Sequence, residues 1–170
     1  EAPVTQWNTE TVLHLLQSVK DPEIPTISLV ELGVVDAVRL QPGDSAPRIE
    51  VDLVPTFSAC PAMGFMALNV KECLLAAGAE AVDVQLLHNK AWDSNRLTER
   101  GRQQLKQHGL SPPPRYATEA EAEAALEAPA ECPQCGSLNT ERHNSFGPTL
   151  CRAIHYCRDC KEAFEQFKPV

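Results

Sequence analysis

The amino-acid sequence predicts an α+β protein, in which a small domain of element order α-β-β-α-β-α is followed by a module that needs a metal to fold. Three observations support this prediction. Apolar residues recur at helical spacing in some segments and alternate with polar residues in others. A triproline at 112–114 and a run rich in Ala and Glu at 117–130 interrupt the chain. Beyond them, four of the seven cysteines form two C-x-x-C pairs.

The first domain starts with a predicted helix. Apolar residues from Trp7 to Val19 are spaced at helical intervals, and Thr5 or Asn8 can cap the helix by accepting a backbone N–H. Two prolines in Asp21-Pro22-Glu23-Ile24-Pro25 must end it, because proline lacks the N–H that a helix interior requires.

A hairpin, a helix, a strand and a further helix follow. Strands are indicated by β-branched or alternating segments, and the helices end at glycines. The predicted elements are strands at 33–40 and 48–54 around a turn at 41–44, a helix that opens at Cys60-Pro61 and ends at Gly78, a strand at 81–87, and a helix at 94–108.

Composition divides the chain into three parts. The Pro/Ala/Glu stretch has too few large apolar side chains to bury anything alone, which is typical of a helical or semi-rigid spacer. We therefore expect a first domain over residues 1–110, a linker over 111–130 and a metal-stapled module over 131–170.

The charge distribution argues against a nucleic-acid partner. The formal net charge is −8, and residues 1–93 hold 13 acids against 5 bases. Phosphate binding needs a concentrated basic surface, and the single basic stretch at 94–116 is more typical of a solvated helix face. The sequence shows no apolar run of membrane-spanning length and no signal segment, so we expect a soluble, cytoplasmic protein.

The two C-x-x-C pairs predict a tetrahedral metal site. Their ligands are Cys132, Cys135, Cys157 and Cys160. Four thiolates leave zinc no open position, so the site is structural, and metal binding supplies the stability that a module of this size lacks. Gly136 can take the left-handed backbone that such a turn needs. Disulfides and a rubredoxin-like iron site are the weaker alternatives.

Three further side chains in the same module have open roles. His143 and His155 are expected to be surface residues of strands. Cys151 is either a buried apolar thiol or a spare ligand for a second metal, and packing is the favoured interpretation. A last strand is expected over 163–167.

Motifs in the first domain resemble a known family. Asp21-Pro22-Glu23, Glu31-Leu32-Gly33 and the segment from Thr56 to Cys60-Pro61 are similar to those of the small domain shared by SufT and a eukaryotic cytosolic iron–sulfur targeting factor. This resemblance covers about residues 8–110. Together with the zinc-ribbon module, and with the segments 146–151 and 157–168, the chain resembles the PaaD family, whose members are accessory proteins of bacterial phenylacetate degradation.

The resemblance implies a role in maturing the multicomponent phenylacetyl-CoA epoxidase, without turnover of its own. It points to Cys60, Asp21 and Glu23 as ligands of iron or of a transient iron–sulfur cluster, with Thr56 ordering the loop. A cysteine at a helix start favours the thiolate that iron requires.

One protein ligand cannot hold a cluster, so we expect a homodimer or a complex with epoxidase subunits or other iron–sulfur proteins. The alternative function is a zinc-ribbon adaptor that only docks to the epoxidase. A thiol redox enzyme is weaker, because Cys60 has no C-x-x-C partner, and Cys73 is expected to be core. An acyl-transfer enzyme is weaker still, because no His–Asp pair accompanies a nucleophile.

Overall fold

The computed structural model describes residue 4, residues 6–57 and residues 59–169. Thr5, one of the two predicted caps, lies outside this set. The chain forms two compact units, an N-terminal unit over residues 1–92 and a C-terminal unit over residues 93–170. The division falls earlier than the domain boundary that we expected at residue 110.

The N-terminal unit contains two helices and a three-stranded sheet. The elements are α1 (Thr9–Leu16), β1 (Val35–Gln41), β2 (Arg48–Leu53), α2 (Met63–Ala76) and β3 (Ala81–Leu86). Strands β1 and β2 are antiparallel, whereas β2 and β3 are parallel and joined through α2. The hairpin and the order α-β-β-α-β are as predicted.

Local sequence explains how these elements begin and end. The Asn8 side chain caps α1 by accepting the Thr11 N–H at 2.8 Å. Beyond α2, Gly78 has a φ of +104°, a left-handed conformation that favours glycine. Of the five apolar side chains expected on the inner face of α2, Ala67 is partly buried and four are buried: Met63, Met66, Val70 and Leu74.

The C-terminal unit contains two helices and a four-stranded sheet. Its elements are α3 (Glu99–Gln107), β4 (Leu110–Ser111), α4 (Glu119–Glu127), β5 (Thr140–Asn144), β6 (Arg152–Cys157) and β7 (Ala163–Phe167). The strands lie in the order β4-β7-β6-β5, and β4 is parallel to β7. The last strand has the predicted bounds, and β4 is an addition that the sequence did not predict.

The helix expected at 94–108 is split into two pieces. A 3-10 turn covers Ser94–Arg96, and α3 begins only after Thr98, whose side chain accepts the Gly101 N–H at 3.0 Å. The extended backbone of this cap breaks the continuity of the helix. Within α3, Arg102 is buried and donates to the carbonyls of Ser94 and Pro113. This base of the basic stretch therefore stabilises the fold and is not part of a solvated helix face.

Part of the stretch that we expected to be a helical or semi-rigid spacer forms the helix α4. A reciprocal capping box between Thr118 and Glu121 starts α4, and none of the side chains of α4 is buried. No helix in the described part of the chain has both the length and the apolar character that crossing a membrane requires.

Candidate functional site

The structure brings the two C-x-x-C pairs of the C-terminal unit together at one point. The four sulfurs, of Cys132, Cys135, Cys157 and Cys160, lie within 4.8 Å of one another. The Cys132–Cys160 and Cys135–Cys157 sulfur pairs are 3.7 and 3.6 Å apart, far beyond a disulfide bond. A tetrahedron with metal–sulfur bonds of about 2.3 Å has sulfur–sulfur edges of about 3.8 Å, so this donor set fits a tetrahedral metal ion.

The two pairs share one pattern of backbone hydrogen bonds. In the first pair, Cys132 N–H donates to Ser137 O at 2.9 Å, and Gly136 N–H donates to Cys132 O at 2.8 Å. In the second pair, Cys157 N–H donates to Glu162 O at 2.9 Å, and Lys161 N–H donates to Cys157 O at 3.0 Å. The two turns are therefore equivalent and present their sulfurs from the two sides of one site.

A left-handed residue follows the second cysteine of each pair. Gly136 has a φ of 75°, as the sequence predicted, and Lys161 has a φ of 65°. Among the residues that the structure describes, Lys161 is the one non-glycine residue with a positive φ, and we did not predict this conformation. The signal was present in the sequence, because Lys161 follows Cys160 as Gly136 follows Cys135.

Backbone amides and neighbouring thiols set the electrostatics of the site. The N–H groups of Cys160 and Asp159 donate to the Cys157 sulfur and lower its pKa to about 7. The Glu162 N–H acts to lower the pKa of Cys160, but burial and the three neighbouring thiols together raise it to about 12. Four thiols at this spacing cannot all ionise alone, whereas a bound cation allows all four to act as thiolates.

Polar and apolar neighbours hold the two turns in place. The Asp159 carboxylate accepts from Ser137 Oγ at 2.5 Å and from Asn139 Nδ2 at 2.7 Å, which links the two turns. Ala130 and Phe164 form a small buried cluster with Cys132 and Cys157, and Cys160 packs against it. Positioning side chains of this kind orient metal ligands.

Cys151 does not join the four cysteines in the metal-ligand group of the described residues. It is half-buried, and its sulfur lies 3.2 Å from Thr149 Oγ1. This geometry agrees with the packing role that we favoured.

The two histidines of the ribbon differ in environment. His143 lies on the surface, where it stacks on Tyr156 and contacts Glu141, as predicted. The prediction for His155 was wrong, because this side chain is fully buried and stacks on Phe164 with ring centroids 5.5 Å apart. Alternate residues of β6 point inward, and His155 falls on the buried face. Burial lowers the pKa of His155, and a side-chain hydrogen bond with Gln166 acts in the opposite direction.

Cys60 of the N-terminal unit lies before α2 and not at its first residue. The helix begins at Met63 after Ala62, so the predicted opening at Cys60-Pro61 is too early. Cys60 instead sits in a turn, in which its N–H donates to Phe57 O at 3.0 Å and its carbonyl accepts the Met63 N–H at 3.3 Å. The thiol is free and half-buried, and Thr56 is half-buried in the same loop.

Asp21 has a structural role that the sequence did not reveal. Its side chain is nearly buried, and Oδ1 accepts the N–H groups of Glu23 at 2.7 Å and Ile24 at 2.9 Å. This bond pair shapes the proline-containing loop, while Glu23 itself is exposed. Cys60, Asp21 and Glu23 do not form a second group of potential metal ligands among the described residues.

A second loop network also escaped prediction. Glu31 Oε2 accepts the Ser28 N–H at 2.8 Å, and Ser28 Oγ accepts the Glu31 N–H at 3.1 Å. Both side chains are buried. The spacing S-x-x-E is typical of a capping box, and this pattern could have predicted the pair of hydrogen bonds.

Comparisons with known proteins cover both units. Residues 9–86 match the family model described as iron–sulfur cluster assembly protein, and residues 117–168 match the PaaD zinc beta ribbon domain. A protein of Escherichia coli (strain K12), named as a putative subunit of 1,2-phenylacetyl-CoA epoxidase, is 33% identical over 169 residues, which are 99% of this chain and 98% of the relative.

Two further relatives resemble part of the chain. Cytosolic iron-sulfur assembly component 2B of Mus musculus is 36% identical over 64 residues, covering 38% of this chain and 39% of the relative. The crystal structure of a domain of unknown function, DUF59, from Bacillus anthracis superposes with a TM-score of 0.50 at 22% identity. It covers 56% of this chain and 89% of that one, and this likeness shows the fold alone.

Similarity over nearly the whole length of both chains, joined to the matches of the two units, assigns the family. The chain belongs to the PaaD family, and it combines an iron–sulfur cluster assembly domain with the PaaD zinc β-ribbon.

Proposed function

We propose that this protein is an accessory factor for maturation of the multicomponent phenylacetyl-CoA epoxidase in phenylacetate degradation. The observation that carries the proposal is the joining, in one chain, of an iron–sulfur cluster assembly domain to the PaaD ribbon. The relative that matches over the full length is named as an epoxidase subunit, and we therefore propose the epoxidase as the client protein. In this proposal the protein binds and passes on iron or an iron–sulfur cluster and has no turnover of its own.

Zinc at the four cysteines has a structural role in this proposal. The sulfur–sulfur distances suit a tetrahedral ion, and four thiolates leave no position for a substrate. The ion offsets half of the negative charge of the four thiolates and holds the ribbon together, so its removal is expected to unfold the ribbon rather than to abolish a reaction.

Cys60 is the proposed ligand for the iron cargo. Its thiol is free and half-buried in a turn whose backbone is tied to Phe57 and to the start of α2. Because one thiolate cannot hold a cluster, the remaining ligands must come from a second copy of the chain or from the client. Glu23 is exposed in the proline-containing loop and is proposed as an oxygen ligand, with Asp21 shaping that loop and Thr56 ordering the Cys60 turn.

The test is complementation of a deletion strain with Cys60→Ala. The half-buried thiol can be replaced with little effect on folding, so we expect normal zinc content and normal binding to epoxidase subunits, but loss of growth on phenylacetate. The iron content of the purified epoxidase complex should fall with it. Normal growth and normal epoxidase iron would refute the maturation role. Cys60→Ser provides the matched control for side-chain size.

The adaptor function remains the second candidate because of one observation on the ribbon. Leu138, Phe146 and Leu150 are large apolar side chains that stand exposed there. If docking through this surface were the only role, Cys60→Ala would support full activity. The same complementation therefore separates the two functions.

A further inference from the structure

The exposed large apolar side chains of the N-terminal unit are concentrated near Cys60. In the described part of that unit they all fall between residues 57 and 75. Their exposed fractions are 40% for Phe57, 55% for Phe65, 50% for Leu68 and 41% for Leu75. Single exposed apolar residues are normal in soluble proteins, but a concentration of this kind marks an interaction surface.

Three of these side chains share one face of α2. Phe65, Leu68 and Leu75 are three and seven residues apart, so they point away from the buried face that carries Met66 and Val70. Ten residues of helix extend over about 15 Å. The result is an apolar stripe along the outside of α2, and we call it the α2 stripe.

The α2 stripe leads to the turn that holds Cys60. Phe57 accepts the Cys60 N–H at 3.0 Å, and the Met63 N–H donates to the Cys60 carbonyl at 3.3 Å. Phe65 lies in the first turn of the helix that Met63 begins. Backbone hydrogen bonds thus connect Phe57, Cys60 and the start of the stripe.

The charge of the unit indicates what covers this surface. Residues 1–92 hold 12 acids and 5 bases, an excess of 7 acids. Three of those bases are in ion pairs with carboxylates of the same unit: Arg39 with Glu50 and Asp52, Arg48 with Glu80, and Lys90 with Asp36. Two copies of such a unit repel each other, whereas a partner with Lys and Arg around an apolar patch is attracted.

We propose that the α2 stripe, with Phe57, is the docking surface for a folded client protein that presents an apolar patch rimmed by basic residues. The client seats beside Cys60, where it supplies the remaining ligands of the cargo. This inference rests on the proposed function for the identity of the client. It assigns docking to the N-terminal unit and not to the ribbon.

The test compares two exposed phenylalanines of similar accessibility. Phe65→Asp places a charge at the centre of the proposed surface, and Phe146→Asp, at 60% exposed, places the same charge on the ribbon. The probe is the set of purified subunits of the phenylacetyl-CoA epoxidase, titrated against the full chain by calorimetry. We expect Phe65→Asp to weaken binding at least about tenfold, as loss of a central apolar contact does, and Phe146→Asp to leave it unchanged.

Added salt should weaken wild-type binding if the rim of the client is basic. Leu68→Asp is the second variant on the stripe, and circular dichroism with zinc content shows that each variant is folded. Wild-type affinity in both stripe variants, or weakened binding in Phe146→Asp alone, would overturn the inference. Light scattering tests whether a second copy of this chain covers the stripe instead. If the wild type is a dimer and Phe65→Asp is a monomer, the stripe is a contact between copies of this chain and the inference is wrong.

Failure of the docking inference is distinguishable from failure of the proposed function. If Cys60→Ala lowers epoxidase iron while the stripe variants bind normally, the function stands and the docking surface lies elsewhere. If the stripe variants lose binding while Cys60→Ala restores full epoxidase iron, the surface is right and the maturation role is wrong.

Discussion

Single residues in unusual backbone conformations define the ribbon turns. The conformation after the second cysteine must be left-handed, because it lets the following amides reach the sulfurs. Glycine meets this requirement at Gly136, while Lys161 meets it with a side chain. A non-glycine residue in that region costs about 1–2 kcal/mol. The two turns have the same backbone, but Gly136 takes the left-handed conformation at a lower energetic cost than Lys161 does.

This difference predicts opposite effects for two substitutions. Gly136→Ala should lower the free energy of unfolding of the zinc-loaded ribbon by about 1–2 kcal/mol, since nothing but backbone strain opposes the added methyl group. Lys161→Gly should raise it by about 0.5–1 kcal/mol, after the entropy cost of glycine. Urea unfolding followed by absorbance of a cobalt-substituted site measures both. An equal decrease in the free energy of unfolding in both variants would mean that contacts of the Lys161 side chain outweigh the backbone strain at that position.

At the scale of elements, the loop between α1 and β1 shows that an acidic residue in a family motif can be structural. Asp21 accepts two backbone N–H groups, and the buried pair of Ser28 and Glu31 braces the end of the same loop. Such bonds give the loop a defined shape without any metal. The exposed Glu23 lies in this loop, whose backbone is fixed by these hydrogen bonds.

Two substitutions of Asp21 separate support from ligation. Asp21→Asn keeps an oxygen acceptor for both amides, so stability should stay within about 0.5 kcal/mol of wild type. Asp21→Ala leaves two donors without that acceptor and should lower the free energy of unfolding by about 1–2 kcal/mol. Thermal unfolding gives both values. If Asp21→Asn is stable yet no longer takes up iron under anaerobic loading, the carboxylate is a ligand as well as a support.

For the whole molecule, the zinc site and the Cys60 turn belong to different compact units. The ribbon sheet includes β4, which pairs with β7 through Leu110 and Ser111. Loss of the metal should therefore loosen more of the chain than the cysteine-rich segment. It should spare the sheet and helices of the N-terminal unit, which have their own buried side chains.

Cys132→Ser tests this division. It removes one ligand, so zinc should be lost, because a three-thiolate site with a hydroxyl binds far more weakly. Hydrogen exchange should show lost protection in β4, β6 and β7 and unchanged protection in β2 and α2. Lost protection in β2 as well would show that the two units do not fold independently.

The sequence predicted the parts of this structure that depend on local spacing. The C-x-x-C pairs indicated the convergence of four sulfurs, and the last strand was expected at the bounds that β7 has. It missed β4, since a two-residue strand pairs with residues more than fifty positions away and has no periodicity of its own. The burial of His155 and the acceptor role of Asp21 likewise depend on packing and loop shape that spacing does not encode.

In our proposal, the ribbon holds zinc for structure, while Cys60 binds iron as cargo. Elemental analysis of anaerobically purified protein, before and after loading with ferrous iron and sulfide, distinguishes these two roles. We predict about one zinc per chain in both wild type and Cys60→Ala. We also predict iron uptake in wild type and its loss in Cys60→Ala. Equal iron in the two proteins, or zinc that persists after Cys132→Ser, would contradict the proposal.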